Sequence, residues 1–338
     1  MKPIQTVGVI GAGIAGLACA EALRRSGLGV TVVEKARGVG GRMATRRTDS
    51  GATFDHGAQY FTARDPLFAS QVEQWCAGGC AALWNGRIVT LNQGVTADLA
   101  DAPPRFVGVP GMSSVAKMLA TGLHVQLNVS AQSIRRLGGS WHVEDAAGKL
   151  YGPFDFLISS APPQQTRSLF GDESSVLAKA MSNVIMAPCW AVMLELPKRM
   201  EVSFDAAFVN ESPLSWISRN SSKPKRDTAD CWVLHASATW SREHLDQPAD
   251  AVAQMLVERL WRATGQAPLA IHAMVAHRWR YALPVETLPQ RCLIDRDVNL
   301  GWCGDWCGGP RVEGAYLSGL AMADALPGSV LSERASGY

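Results

Sequence analysis

Gly11, Ala12, Gly13, Ile14, Ala15 and Gly16, followed by Glu34, have the types and spacing to hold a dinucleotide. Gly11 permits a tight turn, Gly13 lets the backbone approach a pyrophosphate, and Gly16 lets a helix pack closely on a strand. A helix opening at this turn offers free N–H groups to phosphate oxygens. Glu34 stands where a carboxylate accepts hydrogen bonds from ribose hydroxyls. The elements that must position these residues show in the flanking periodicity. Residues 7–10 are an apolar strand, residues 17–25 recur at helical spacing until Gly27, and residues 28–33 form a second apolar strand ending at Glu34.

The residues that follow narrow the ligand. Lys35, Arg37, Gly40-Gly41-Arg42-Met43, Arg46 and Arg47 lead to Asp55-His56-Gly57-Ala58-Gln59-Tyr60-Phe61. Near the other end stand Gly304-Asp305 and Val312-Glu313-Gly314-Ala315. The Gly-Gly-Arg string and the late strings resemble the extended cradle and closing motif of the large flavoprotein family that includes amine oxidases and phytoene desaturases. The resemblance implies FAD, held non-covalently by Gly11 to Gly16, Glu34, Lys35, Gly41, Arg42, Met43, Gly57, Ala58, Gln59, Val129, Asp305, Val312, Glu313 and Ala315. Cys303 and Cys307 flank the Gly304-Asp305 turn, so no cysteine stands where some amine oxidases attach flavin covalently. The implied fold is α/β, a Rossmann-like FAD-binding domain of the amine oxidase and p-hydroxybenzoate hydroxylase type, with an α+β substrate domain built on a mixed sheet.

The pattern along the chain suits that division. Residues 1–63, 107–163 and 291–338 are expected to form the FAD-binding domain, and 64–106 and 164–290 the substrate domain. Expected elements include helices over 66–76, 115–119 and 249–263, the last carrying Val252, Leu256 and Leu260 on one face. Strands are expected over 123–129, 141–144, 154–159, 191–196 and 231–238. Ser221-Ser222-Lys223-Pro224-Lys225-Arg226 is a polar loop whose charges are expected to be solvated.

Composition sets bounds. The chain has 338 residues, 47% hydrophobic and 18% charged, with a formal net charge of +2. That balance argues against a nucleic-acid surface or a polybasic membrane anchor. No apolar run has the length of a membrane helix, and a cytoplasmic protein is expected. The 8 cysteines are scattered, the Cys76/Cys80 pair has no histidine nearby and the Cys303/Cys307 pair straddles the Gly304-Asp305 turn given to the flavin, so buried thiols rather than a metal site are expected.

Within the flavoprotein family, the Asp55–Phe61 string, Val109-Pro110-Gly111-Met112-Ser113-Ser114 and Arg278-Trp279-Arg280-Tyr281 resemble stretches of renalases. That narrower resemblance implies oxidation of reduced nicotinamide dinucleotides whose hydride sits at the 2 or 6 position, with O2 as acceptor and H2O2 as product. A lysine that many amine oxidases place behind the flavin is missing here, since none lies between Lys179 and Lys198. Candidate substrate residues are Tyr60, Arg64, Trp216, Arg219, His235, Trp279 and Tyr281. Trp216, Trp279 and Tyr281 either pack the core or offer stacking platforms; His235 is either a core histidine or a site histidine; Arg64 and Arg219 either pair with the substrate or are solvated. No catalytic acid or base is assigned, because hydride transfer releases no proton from the donor. Oxidation of small amines, a desaturase-like activity, and flavin binding without turnover are the alternatives.

Overall fold

A computed structural model describes residues 3–226 and 229–326. The expected cofactor segment 291–338 runs past this, residues 327–338 lying outside the described residues. By packing, the chain forms two compact units: residues 3–41, 116–186 and 283–326 make the first, residues 42–115 and 187–282 the second. The changeovers fall elsewhere than the sequence pattern put them. Residues 42–63 go with the second unit because the hairpin Thr45–Arg47/Thr53–Asp55 contributes Phe54 to a core cluster with Met193 and Val233. Residues 164–186 go with the first because Ser174 donates to Asp295 at 2.6 Å.

The first unit is built on a six-stranded sheet ordered Leu293–Asp295, Leu300–Trp302, Phe156–Ser159, Thr6–Ile10, Gly29–Val33, His124–Gln126. All neighbours are parallel except the antiparallel edge pair Leu293–Asp295/Leu300–Trp302. Its central strands are continuous apolar runs, as a parallel sheet covered on both faces requires. The helix Ile14–Arg25 follows the first strand and packs on Arg311–Asp324. A Cβ on Gly319 would overlap the carbonyl oxygen of Ala15, so these helices approach at backbone distance. The strand expected over 123–129 is confined to His124–Gln126, and Asn128 turns the chain with φ +58°.

The second unit carries a seven-stranded sheet ordered Ala273–Pro284, Met186–Leu196, Asp230–Ala236, Leu214–Arg219, Ala206–Val209, Ile88–Asn92, Val95–Asp98. It is mixed, the Ala206–Val209/Ile88–Asn92 pair being parallel among antiparallel ladders. Strand alternation sorts its side chains. Val192, Leu194, Trp232 and Leu234 meet the helix Ala249–Thr264 through Val252, Leu256 and Leu260. Met193, Cys231 and Val233 leave by the other face and meet Phe54. Trp216 and His235 are cross-strand partners on the face that carries Val233, whereas Arg219 pairs with Trp232 on the helix-covered face.

Candidate functional site

In the first unit the glycine turn has the geometry of a phosphate cradle. A Cβ on Gly11 would stand 2.6 Å from Ser160 Oγ, and one on Gly16 would overlap the carbonyl oxygen of Gly11. These two glycines are therefore demanded by the protein's own packing. Gly13 is different: a Cβ there would meet nothing within 4 Å, so its bareness leaves space that no protein atom uses. Gly13 is also the N-cap of the helix Ile14–Arg25, with no capping side chain and no acid in the first turn. Its N–H groups are those an anion would take.

Glu34, 7% exposed, ties this turn to the second strand. Its Oε2 accepts from Ala12 N at 2.7 Å and its Oε1 from Ala36 N at 2.8 Å. Each oxygen keeps a lone pair for a ribose hydroxyl. Val129 N donates to the Glu34 carbonyl at 2.9 Å, which brings Val129 beside the same strand end. Lys35 and Gly41 are exposed. Asp305 is buried and follows Gly304, whose φ of +156° favours glycine. Val312, Glu313 and Ala315 lie in the first turns of Arg311–Asp324, whose N-cap Pro310 supplies no capping side chain. These features fit the diphosphate and ribose of a flavin dinucleotide.

The second unit holds the remaining predicted residues. Arg42 donates to the carbonyl of Ala282 at 2.9 Å, Met43 is buried, and Ala58 N donates to the carbonyl of Arg42 at 2.8 Å. A Cβ on Gly57 would overlap that same Arg42 oxygen, so only glycine fits. Gln59 was expected at the cofactor, but its side chain is spent on the protein. Its Nε2 donates to the carbonyls of Asp55 and Gly57, and its Oε1 accepts from Ser218 Oγ at 2.7 Å.

The largest departure from the sequence expectation is the loop at 221–226. Lys223 and Arg226 are not solvated: both side chains are fully excluded from solvent and face Asp55, equally excluded. The cluster is completed by Lys223 Nζ donating to Gln59 Oε1 at 3.3 Å and Asn220 Oδ1 at 3.2 Å, and by Met112 N donating to Asp55 Oδ1 at 2.9 Å. Burial pushes the Lys223 ammonium down to about 8 despite the Asp55 carboxylate. Burial alone would raise Asp55, but Lys223, Arg226 and the Met112 N–H together hold it below its ordinary value. The unit thus contains a buried lysine, supplied by the loop 221–226 and not by the stretch between Lys179 and Lys198.

Arg219 is likewise corrected. Its guanidinium forms a buried ion pair with Asp230, donates to the Met200 carbonyl at 2.9 Å and lies 4.7 Å from the centre of the Trp232 ring. Desolvation of two unpaired charges forces such a pairing, which leaves Arg219 a structural residue rather than a substrate ligand.

The other candidates fall in two ring groups. Tyr60 and Trp216 stand 5.5 Å apart between centroids, with Arg105 at 5.2 Å over Tyr60. The indole Nε1 of Trp216 is buried without a partner. In the second group His56 stacks on Trp279 at 5.0 Å and meets His277 edge-on at 4.9 Å. The His56 carbonyl is bonded to His235 Nε2 at 3.1 Å and accepts from Trp279 Nε1 at 3.0 Å. Arg64 is exposed and Tyr281 half-buried. His56 and His277 were missed as candidates; the Asp55–Phe61 string contained one, but their partners lie far along the chain. All three imidazoles are shifted toward the neutral form. Burial, then His277, Arg46 and His235, push His56 down to about 3. Burial chiefly brings His235 to about 4, and burial with Arg46 lowers His277.

Comparison with known proteins gives two matches along the chain, each of which includes residues of both units. Residues 9–75 match the NAD(P)-binding Rossmann-like domain, and residues 87–327 match the family described as flavin containing amine oxidoreductase. The fold resembles the cyclohexylamine oxidase of Brevibacterium oxydans IH-35A, with TM-score 0.75, 13% identity, and coverage of 98% of this chain and 100% of that one. It also resembles a putrescine oxidase solved with putrescine, with TM-score 0.70, 14% identity, and coverage of 95% and 98%. At such identity these likenesses speak for the fold. A local stretch of 74 residues is 42% identical to the tRNA 5-methylaminomethyl-2-thiouridine biosynthesis bifunctional protein MnmC of Magnetococcus marinus, covering 19% of this chain and 11% of that protein. The chain thus spans only a small part of the curated relatives it matches, 11% and 27% of their lengths.

Proposed function

The chain belongs to the flavin containing amine oxidoreductase family, and within that family we propose that it is an FAD-dependent oxidase of dihydronicotinamide dinucleotides reduced at the 2 or 6 position. The products are the ordinary oxidised dinucleotide and, with O2, H2O2. The observation that carries this reading is the charge inventory around the ring groups. His56 stacks on Trp279, His277 meets both edge-on, His235 bonds the His56 carbonyl, and the charged neighbour that His56 and His277 share is Arg46. The buried carboxylates of this unit among the described residues, Asp55 and Asp230, are each committed to a guanidinium. An amine arrives in water as an ammonium and gains from a free carboxylate; a dinucleotide arrives as an anion with a flat ring and gains from what is present.

Bound FAD would supply the hydride acceptor. In this reading the chain's residues bind and orient. Gly13 and the N–H groups after it receive the diphosphate, and Glu34 receives ribose hydroxyls. Trp279 and Tyr60 give the donor ring a surface, and no side chain need act as acid or base. A second reading, oxidation of a small amine, draws on the close Tyr60–Trp216 pair as an aromatic cage.

Anaerobic mixing separates them. The 2- and 6-dihydro isomers should bleach the flavin within seconds, while benzylamine, putrescine and 4-dihydro-NADH should not. Admission of O2 should restore the yellow form with H2O2 as product. Rapid bleaching by an amine with no response to the isomers would move the assignment to the amine reading. No response to either would point to flavin binding without turnover.

A further inference from the structure

We infer that Arg46, with Nδ1 of His56 and the ring of His277, forms an anion subsite that binds a phosphate group of the dinucleotide substrate. The inference rests on the substrate reading above and adds the residues that would select a phosphorylated donor. Three observations lead to it, all within the second unit.

The first is placement. Arg46 lies opposite Phe54 in the hairpin Thr45–Arg47/Thr53–Asp55. His56 is the first residue after the strand Thr53–Asp55, two along from Phe54, the cross-strand partner of Arg46. The second is an orphaned atom. His56 is 6% exposed, yet its Nδ1 makes no well-formed hydrogen bond, the Phe54 backbone being its one polar neighbour strong enough to favour the protonated ring. The ring is not free to turn and find one, being stacked on Trp279 at 5.0 Å and met edge-on by His277 at 4.9 Å. A buried imidazole nitrogen left unpaired costs free energy that a ligand oxygen would recover. The third is an uncompensated charge. Arg46 is half-buried and makes no ion pair among the described residues, although it acts on both His56 and His277.

A cation without an ion-pair partner, beside a buried ring nitrogen that can carry a proton and a second imidazole, is the donor set of an oxyanion site. A phosphate suits it better than an ammonium, which would be repelled, or an uncharged ring, which would leave Arg46 unpaired. Two phosphate-bearing molecules could supply the anion, the substrate and the FAD itself, and the test separates them.

Inorganic pyrophosphate is titrated into the FAD-loaded wild type by calorimetry at two salt concentrations. Binding that weakens with salt is expected, and no binding overturns the inference. In Arg46→Gln the affinity should fall about tenfold to a hundredfold, with Arg46→Lys recovering part of it. His56→Phe, which keeps the stack on Trp279 but removes the nitrogen, should weaken it by a smaller factor. The kinetic readout is the ratio of kcat/KM for the isomeric dihydronicotinamide dinucleotide to that for the corresponding phosphate-free riboside. In Arg46→Gln this ratio should fall by about tenfold or more, mainly through KM. An unmoved ratio overturns the inference, as does loss of FAD from purified Arg46→Gln, which would assign the charge to the cofactor's diphosphate. Should the wild type oxidise neither donor, the substrate reading has failed, and the pyrophosphate titration alone still decides whether the anion subsite exists.

Discussion

Asp55 Oδ2 accepts from Arg226 Nη2 at 2.6 Å and from its Nε at 3.2 Å, across 171 residues of sequence and with both side chains fully excluded from solvent. Lys223 Nζ stands 3.5 Å from the same oxygen. One buried carboxylate therefore serves two buried cations, and it fastens the hairpin Thr45–Arg47/Thr53–Asp55 to the loop after the strand Leu214–Arg219.

Removing that carboxylate strands both cations. Asp55→Asn is expected to destabilise the fold by about 3–5 kcal/mol, measured as a shift in urea midpoint at unchanged slope. The acid side should show the same group. Its folded pKa is depressed, so its contribution is complete above the unfolded value near about 4 and is lost as pH falls through the lower folded value. The Asn variant should show a flatter loss of stability in that range.

Lys223 predicts a slope of opposite origin. Burial pushes its folded value down to about 8, below the roughly 10.4 of an unfolded lysine. Between those values the unfolded chain binds more protons than the folded one, so this group makes stability rise with pH from about 8 to about 10.4 and adds nothing further above. Melting temperatures of the wild type and Lys223→Met across that range should differ in slope, the variant being flatter. Parallel curves would show that Lys223 is charged and solvated.

Gly13 and Gly16 should fail differently. Gly13→Ala meets no protein atom within 4 Å at a φ of −75°, so the apo-protein should melt close to the wild type while FAD affinity falls. Gly16→Ala collides with the carbonyl of Gly11 and should lower stability by about 1–3 kcal/mol or more whether or not flavin is present. Calorimetry of apo and flavin-loaded forms distinguishes the two. Equal losses in apo stability would remove Gly13 from the cradle.

Glu34→Gln replaces an oxygen facing an N–H with an amide that offers only one acceptor. One of the bonds to Ala12 and Ala36 must be lost along with the charge. The cost to FAD binding is expected at about 1.5–3 kcal/mol, or roughly tenfold to a hundredfold in Kd, read from flavin retention on dialysis. Full retention would place the ribose elsewhere.

The cradle was legible because its signal is local. Gly11, Gly13, Gly16 and Glu34 lie within one strand–helix–strand unit, and each glycine has a separate steric reason. The helix Ala249–Thr264 was legible for the same reason, its apolar face recurring at helical spacing. The charges of the second unit were not. Ser221 to Arg226 has the composition of a solvated loop, and nothing in it reveals that Asp55, far upstream, draws Lys223 and Arg226 inside. Arg219 was misjudged similarly, its partner Asp230 lying on the neighbouring strand. His56 was hidden by distance too, since His235, His277 and Trp279 reach it only through the sheet. Buried charges and rings are specified by pairings of long sequence separation, which periodicity does not encode.

The contact between Gly319 and Ala15 carries a further meaning for how the protein is made. The helix that opens at the phosphate turn completes its packing on Arg311–Asp324, about three hundred residues later in the chain. During synthesis the turn, the first helix and Glu34 emerge well before Arg311–Asp324 and keep an apolar flank open to water until that helix has been translated. The helix that opens at the phosphate turn is therefore complete only when segments about three hundred residues apart have met.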